Sequence, residues 1–312
     1  MGNLSKEAVG TICVIVAVIF FSIQDMAFKW MSGDYPLHQI VMIRATIAIV
    51  LTVAIIVPLE GGIRILQTKR LGMQLLRGGA LVIGNLTFFV SLASLQLPTA
   101  VATFFTAPLI ITLLAVVFLG ERLNAVRVAL ILMGFCGVLF IVRPSAAGLQ
   151  IAAILPLVAA FAYSCMQLLT RRLADTEPAA ALAFYVHLMF ILSSLVMAAI
   201  AGNGRFDVFD NPSASFLLRA WSWPTTQDWA IIAALGVLNT LAGYLIGQGY
   251  RLAEAGRVAP FEYVAVPMSV LWGALIWSDW PDAYAWVGIV MIVGAGLAIA
   301  RSKPVQSPEV KL

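Results

Sequence analysis

AVGTICVIVAVIFFSIQDMAFKW, residues 8–30, is a run of apolar and small residues whose strongly polar members, Gln24, Asp25 and Lys29, come near its end. About 20 such residues, rising 1.5 Å each as a helix, cross the hydrocarbon core of a bilayer. Nine more blocks of the same kind follow. The predicted spans are 8–30, 38–57, 77–95, 100–119, 125–142, 151–171, 180–201, 229–250, 257–277 and 283–301. No convincing small-x-small cleavage site follows the first block, so it reads as a retained helix and not a signal peptide.

The rest of the composition agrees. Of 312 residues, 62% are apolar and 11% charged, with a mean hydropathy of +0.98. A soluble domain carries about 25% charged residues, and this chain has too few polar residues to clothe a soluble surface. The net charge of +4 does not indicate nucleic acid, because the basic residues are scattered between apolar blocks. Cys13, Cys136 and Cys165 lie inside apolar blocks without metal-type spacing, and read as small buried residues. His38 and His187 are too few for a histidine-based metal site. No cofactor is expected.

Lysine and arginine predict the orientation. With the N-terminus inside, fourteen basic residues fall on the inner side: Lys6, Arg64, Lys69, Arg70, Arg77, Arg122, Arg127, Arg171, Arg172, Arg251, Arg257, Arg301, Lys303 and Lys311. Three fall outside, Arg143, Arg205 and Arg219, and Lys29 and Arg44 lie within helices. Both ends are therefore expected in the cytoplasm. The polar loop 202–228 lies outside, with Trp221, Trp223 and Trp229 suited to the interface.

The chain also echoes itself. Phe21-Ser22-Ile23-Gln24-Asp25-Met26 returns as Phe161-Ala162-Tyr163-Ser164-Cys165-Met166. Pro36 returns as Pro178, Pro108 as Pro267 and Gly134 as Gly294. Each half has five helices, and an odd number turns the second half upside down. The expectation is an all-α membrane protein of ten helices in two inverted repeats, residues 1–143 and 150–301, with a cytoplasmic tail 302–312. Inverted repeats place a solute site near the midplane.

This pattern resembles the drug/metabolite transporter superfamily, in particular its EamA-type members, over residues 8–301. Three features carry the resemblance. They are Phe21-Ser22-Ile23-Gln24-Asp25 with Lys29-Trp30 and Arg44, then Leu97-Pro98-Thr99-Ala100-Val101-Ala102 with Pro108, then Leu119-Gly120-Glu121-Arg122 with Gly134. The resemblance implies a bacterial inner-membrane carrier with a central cavity. Substrates of that superfamily include amino acids, riboflavin, S-adenosylmethionine and amphipathic drugs.

Ionisable groups in hydrocarbon usually face protein or water. Asp25 and Arg44 should lie at similar depth, roughly 8 Å below the outer surface by helical rise. Lys29, at i+4 from Asp25, shares its face. The three read as a gate or coupling cluster, or as an ion pair that fixes one helix against the next. Asn85 and Asn239 fall near the midplane of repeat-related helices. An amide both donates and accepts, which suits a polar solute or an interhelical bond. Glu262, between Pro260 and Pro267, is a second gate or coupling candidate, or an ion-pair partner of Arg251 or Arg257. Gln248, Tyr244, Tyr263, Phe104 and Phe105 are candidate cavity residues, though such aromatics also serve as plain packing.

No phosphate loop, HExxH or GxSxG is present, so no enzyme is expected. The reading is a secondary transporter of a small amino-acid-like, vitamin-like or nucleoside-like metabolite. The alternatives are an uncoupled facilitator or exchanger and a structural or lipid-handling membrane protein. Partners are the solute and the lipid bilayer, without nucleic acid; protons and a second copy of the chain stay open.

Overall fold

The computed structural model describes residues 5–119, 125–142, 151–173, 176–253 and 258–301. The Gly120-Glu121-Arg122 feature, the basic residues Arg143, Arg257, Lys303 and Lys311, and the tail 302–312 lie outside them.

Ten helical segments among the described residues are long and apolar enough to cross a membrane. The first is α1 (Lys6–Met31), whose start is capped by the Ser5 hydroxyl accepting from the Ala8 amide at 3.2 Å. The second joins α2 (Leu37–Leu51) to α3 (Val57–Glu60) through a π-helical turn, Thr52–Ile56. Pro58 has no N–H for the carbonyl four residues back, and the turn widens just before it. Gly61 and Gly62, at φ 127° and 84°, then end the span in a conformation that side chains disfavour.

The third span is α4 (Leu71–Leu92). It begins a turn and a half earlier than the predicted 77, because the helix runs on through the polar Gln74 and Arg77. The Arg77 side chain is buried, donating from Nε to Thr170 Oγ1 at 2.8 Å and from Nη1 to the Leu182 carbonyl at 3.0 Å. The fourth span is broken into α5 (Leu97–Phe104) and α6 (Ala107–Leu119). The break precedes Pro108, whose missing N–H frees the Phe104 carbonyl. The Thr106 hydroxyl ties the break by donating to the Thr103 carbonyl at 2.8 Å. Then come α7 (Ala125–Val142), α8 (Ile151–Leu173) and α9 (Ala179–Ala201). A short α10 (Pro212–Leu218) lies in the 202–225 segment, and α11 (Thr226–Leu252) is the eighth span. The ninth opens as a 3-10 turn, Ala259–Val264, around Pro260, and continues as α12 (Ala265–Trp277). The tenth is α13 (Ala283–Arg301). Both prolines of the Pro108 and Pro267 echo thus sit close to a helix interruption.

The principal packing partners are α1 with α11, α4 with α8, α2 with α9, α5 with α12, and α7 with the last helix. By span these are 1 with 8, 3 with 6, 2 with 7, 4 with 9 and 5 with 10. Every span therefore leans on one from the other half. Close approach needs small residues, since lipid supplies no hydrophobic drive between helices. A Cβ on Gly137 would lie 2.8 Å from the Gly288 carbonyl, and one on Gly249 only 2.4 Å from Val14 Cγ2. Gly294, the expected counterpart of Gly134, has open space around it. The tight contact of the fifth and tenth spans belongs instead to Gly137 and Gly288.

The outer surface is apolar: Leu59, Val117, Leu275 and Val290 are each about two-thirds or more exposed. Water would make that surface a liability, whereas lipid accepts it. The molecule is a multi-pass membrane protein.

Candidate functional site

Four spans each send one polar residue inward. On α1, Asp25 continues the stripe of buried Val14, Val18 and Phe28. On α4, Asn85 continues that of Gly78, Val82 and Phe89. On α11, Asn239 lies between buried Ile232, Leu235 and Ala242. These three side chains point with their buried neighbours yet stay partly exposed. A partly exposed residue on an inward stripe faces an internal space, not lipid.

Arg44 on α2 completes the group and is only 1% exposed. Its Nη2 donates to Asn85 Oδ1 at 3.4 Å, the long end of hydrogen-bond range. Its guanidinium lies 5.1 Å from the Phe28 ring, 5.4 Å from Phe190 and 5.7 Å from Phe89. Phe28 and Phe89 stack at 3.9 Å. Arg44 Nε and Nη1 have no hydrogen-bond partner. Asp25 is near enough for the two charges to act on each other, but among the described residues no hydrogen bond or ion pair joins them. Aromatic faces return about 0.5–2 kcal/mol to a cation, less than the several kcal/mol lost by burying one. Stability alone does not account for this arrangement.

Lys29 does not share the cluster. Its Nζ donates to the Leu92 and Leu95 carbonyls at 3.1 and 2.6 Å and lies 5.3 Å from the Trp277 ring. It caps the C-terminal end of α4, where carbonyls lack helical partners and a cation is favoured. Being at i+4 gave it the right helix face, but its long stem carries the ammonium to the neighbouring helix end.

A second polar group surrounds Glu262, in the 3-10 turn of the ninth span. The Tyr250 hydroxyl donates to Glu262 Oε1. The Glu262 charge also reaches Tyr163 and Tyr263, and Gln167 Nε2 donates to the Tyr163 hydroxyl at 2.8 Å. Tyr263 is buried, with a hydroxyl that has no partner. The alternative of an ion pair with Arg257 lies outside the described residues. Sequence reading missed Tyr250 and Gln167; the former lies one helical turn from Ile246 on the inward side of α11.

Rings connect the two groups. Phe89 is 5.7 Å from Phe88, Phe88 is 5.2 Å from Phe104, and Phe104 is 5.4 Å from Tyr163 and 6.2 Å from Phe105, which is 5.0 Å from Tyr263. Phe104 therefore stands between the groups, at the break of the fourth span. Tyr244 and Gln248 do not join it. They repeat at helical spacing with Val237 and Leu241, which are 41% and 44% exposed, and Tyr244 is 42% exposed. That stripe faces outward to lipid.

Both ends of this interior are covered. On the 202–225 face, Gln39 exchanges two hydrogen bonds with the Ser222 backbone, and Arg219 donates to the Ser32 carbonyl. Ser213 donates to the Val90 carbonyl, Phe216 is fully buried, and the His38 ring lies 5.8 Å from Trp221. On the opposite face the buried Glu177 accepts from Thr68 Oγ1 at 2.6 Å and Gln74 Nε2 at 3.2 Å. Glu60 accepts from the Ala180 amide. No cluster of metal-ligating side chains occurs among the described residues.

Residues 8–143 match the model of the EamA-like transporter family. Over nearly its whole length the chain is similar to the riboflavin transporter of Brucella anthropi, 24% identical over 290 residues that cover 92% of this chain and 97% of that one. It is also similar to the pseudopaline exporter of Pseudomonas aeruginosa, 26% identical over 297 residues covering 94% and 96%. A protein crystal structure shares the fold, with a TM-score of 0.62 at 21% identity, covering 94% of this chain and 97% of that one.

Proposed function

We propose that this chain is a secondary carrier that moves a small polar or amphipathic metabolite across a bacterial inner membrane by alternating access. One observation carries the proposal. Asp25, Arg44, Asn85 and Asn239 turn to the inward side of four spans, and the buried Arg44 keeps two of its guanidinium nitrogens, Nε and Nη1, without a hydrogen-bond partner there. A membrane protein that needed only stability would not gather such groups in hydrocarbon. The similarity to one protein named a riboflavin transporter and another named a pseudopaline exporter supports a small-metabolite substrate. Direction is left open by this pair.

The cross-half pairing of spans supports two inverted repeats, because exchange of 1 with 8 for 3 with 6 is what a two-fold axis in the membrane plane produces. The distribution of basic residues supports both ends inside. In this frame the 202–225 segment closes the outer end and the Glu177 network the inner end. Opening each in turn exposes the polar interior to one side. Asp25, which lacks a direct partner, is the group best placed to carry a coupled proton.

The test is counterflow in proteoliposomes across a metabolite panel. At least one solute is expected to accumulate above protein-free liposomes, and the double variant Asn85→Leu, Asn239→Leu is expected to lose it. If no solute moves, or if the double variant moves it as well as the parent, the proposal fails.

A further inference from the structure

The unmatched donors of Arg44 do not stand alone. His187 of α9 is buried, its Nδ1 has no hydrogen-bond partner, and the charge of Arg44 reaches it. Phe190, one turn further along the same helix, lies against the guanidinium. The second and seventh spans therefore bring Arg44 Nε, Arg44 Nη1 and His187 Nδ1 to one place, beside the Asn85 amide. A neutral imidazole can carry its proton on Nδ1 and donate without charge. Asn85 spends its oxygen on Arg44 and keeps its amino group for another acceptor.

We infer that this place is an anion subsite that takes the carboxylate of a solute bearing a planar ring. A carboxylate offers the acceptors that the orphaned donors lack, and its charge-assisted hydrogen bonds to guanidinium are among the strongest in proteins. The ring requirement comes from the walls, since Phe28, Phe89 and Phe88 lead from the guanidinium to Phe104 at the broken fourth span. The titratable or charged groups facing the subsite are Asp25, Arg44 and His187. Asp25 balances Arg44 at a distance while the subsite is empty. An arriving carboxylate becomes the direct partner of Arg44 and adds a negative charge, which a proton on Asp25 offsets. The donors have almost no surface in this closed form, so entry of the carboxylate requires the aromatic wall to part.

The assignment rests on the carrier reading for its place in a transport path, but its test is equilibrium binding. The purified full-length chain in nanodiscs is titrated with three matched pairs: benzoate and benzamide, nicotinate and nicotinamide, indole-3-acetate and indole-3-acetamide. At least one carboxylate is expected to bind about tenfold or more tightly than its amide, the ratio a charged hydrogen bond supplies. Arg44→Gln should reduce that ratio to near one while the amide affinity stays. Arg44→Lys, which keeps the charge, should retain part of it, and His187→Phe should lower it about threefold. The retained amide binding shows that the variant is folded. If no carboxylate exceeds its amide in the parent, or if the ratio survives in Arg44→Gln, the subsite is overturned. Transport without this discrimination leaves the carrier reading standing and removes the subsite; discrimination without transport does the reverse.

Discussion

The two polar groups of the interior differ in how far the protein satisfies them. Around Glu262 a tyrosine hydroxyl already donates to the carboxylate and the neighbouring Tyr163 has its own donor in Gln167, which leaves the Tyr263 hydroxyl as the unmatched atom of that group. Around Arg44 two guanidinium nitrogens and one imidazole nitrogen lack hydrogen-bond partners. A satisfied group holds structure, and an unsatisfied one awaits something from outside. The contrast supports the proposal of solute recognition at the Arg44 end and a supporting role for the Glu262 end.

The largest expected effect breaks or keeps this contrast at once. Arg44→Gln should lower the initial transport rate about a hundredfold, whereas a rate within threefold of the parent would remove the distinction between the two ends. Next comes Asp25→Asn. It should lower the rate about tenfold and flatten its pH dependence, because the position can no longer take a proton; in the parent, the rate should rise as the pH falls on the side from which the solute is taken. A variant with an unchanged pH profile would locate coupling elsewhere. Glu262→Gln keeps the acceptor oxygen for Tyr250, and transport should fall no more than about threefold. A loss as great as that of Arg44→Gln would make the Glu262 end the recognition site. The smallest effects belong to Tyr244→Phe and Gln248→Leu on the lipid-facing stripe, which should leave transport within experimental scatter.

Much of the fold could be read from residues 8–30 and the nine blocks after them, because hydropathy directly reports which segments can enter lipid. Helix ends were harder. Arg77 looked like the first residue of its span, but its Thr170 and Leu182 partners bury it and the helix starts six residues earlier, at Leu71. Asp25, Arg44 and Asn85 were visible as polar residues that hydrocarbon would not tolerate without reason. Tyr244 and Gln248 misled because lipid is as apolar as the bundle interior, so hydropathy alone does not fix the rotation of α11. His187 and the rings of Phe28, Phe89 and Phe190 escaped notice as a set. Their meeting depends on the contact of α2 with α9, which local spacing does not contain.

The central claim is a polar interior reached from each face in turn. It is tested most directly by replacing Cys13, Cys136 and Cys165 with alanine, introducing Asn239→Cys, and exposing sealed vesicles to a membrane-impermeant maleimide. Right-side-out and inverted vesicles are labelled in separate experiments. Labelling from both faces, slowed by the transported solute, is the predicted result. Labelling from neither face, or from one face only under every condition, would contradict the account.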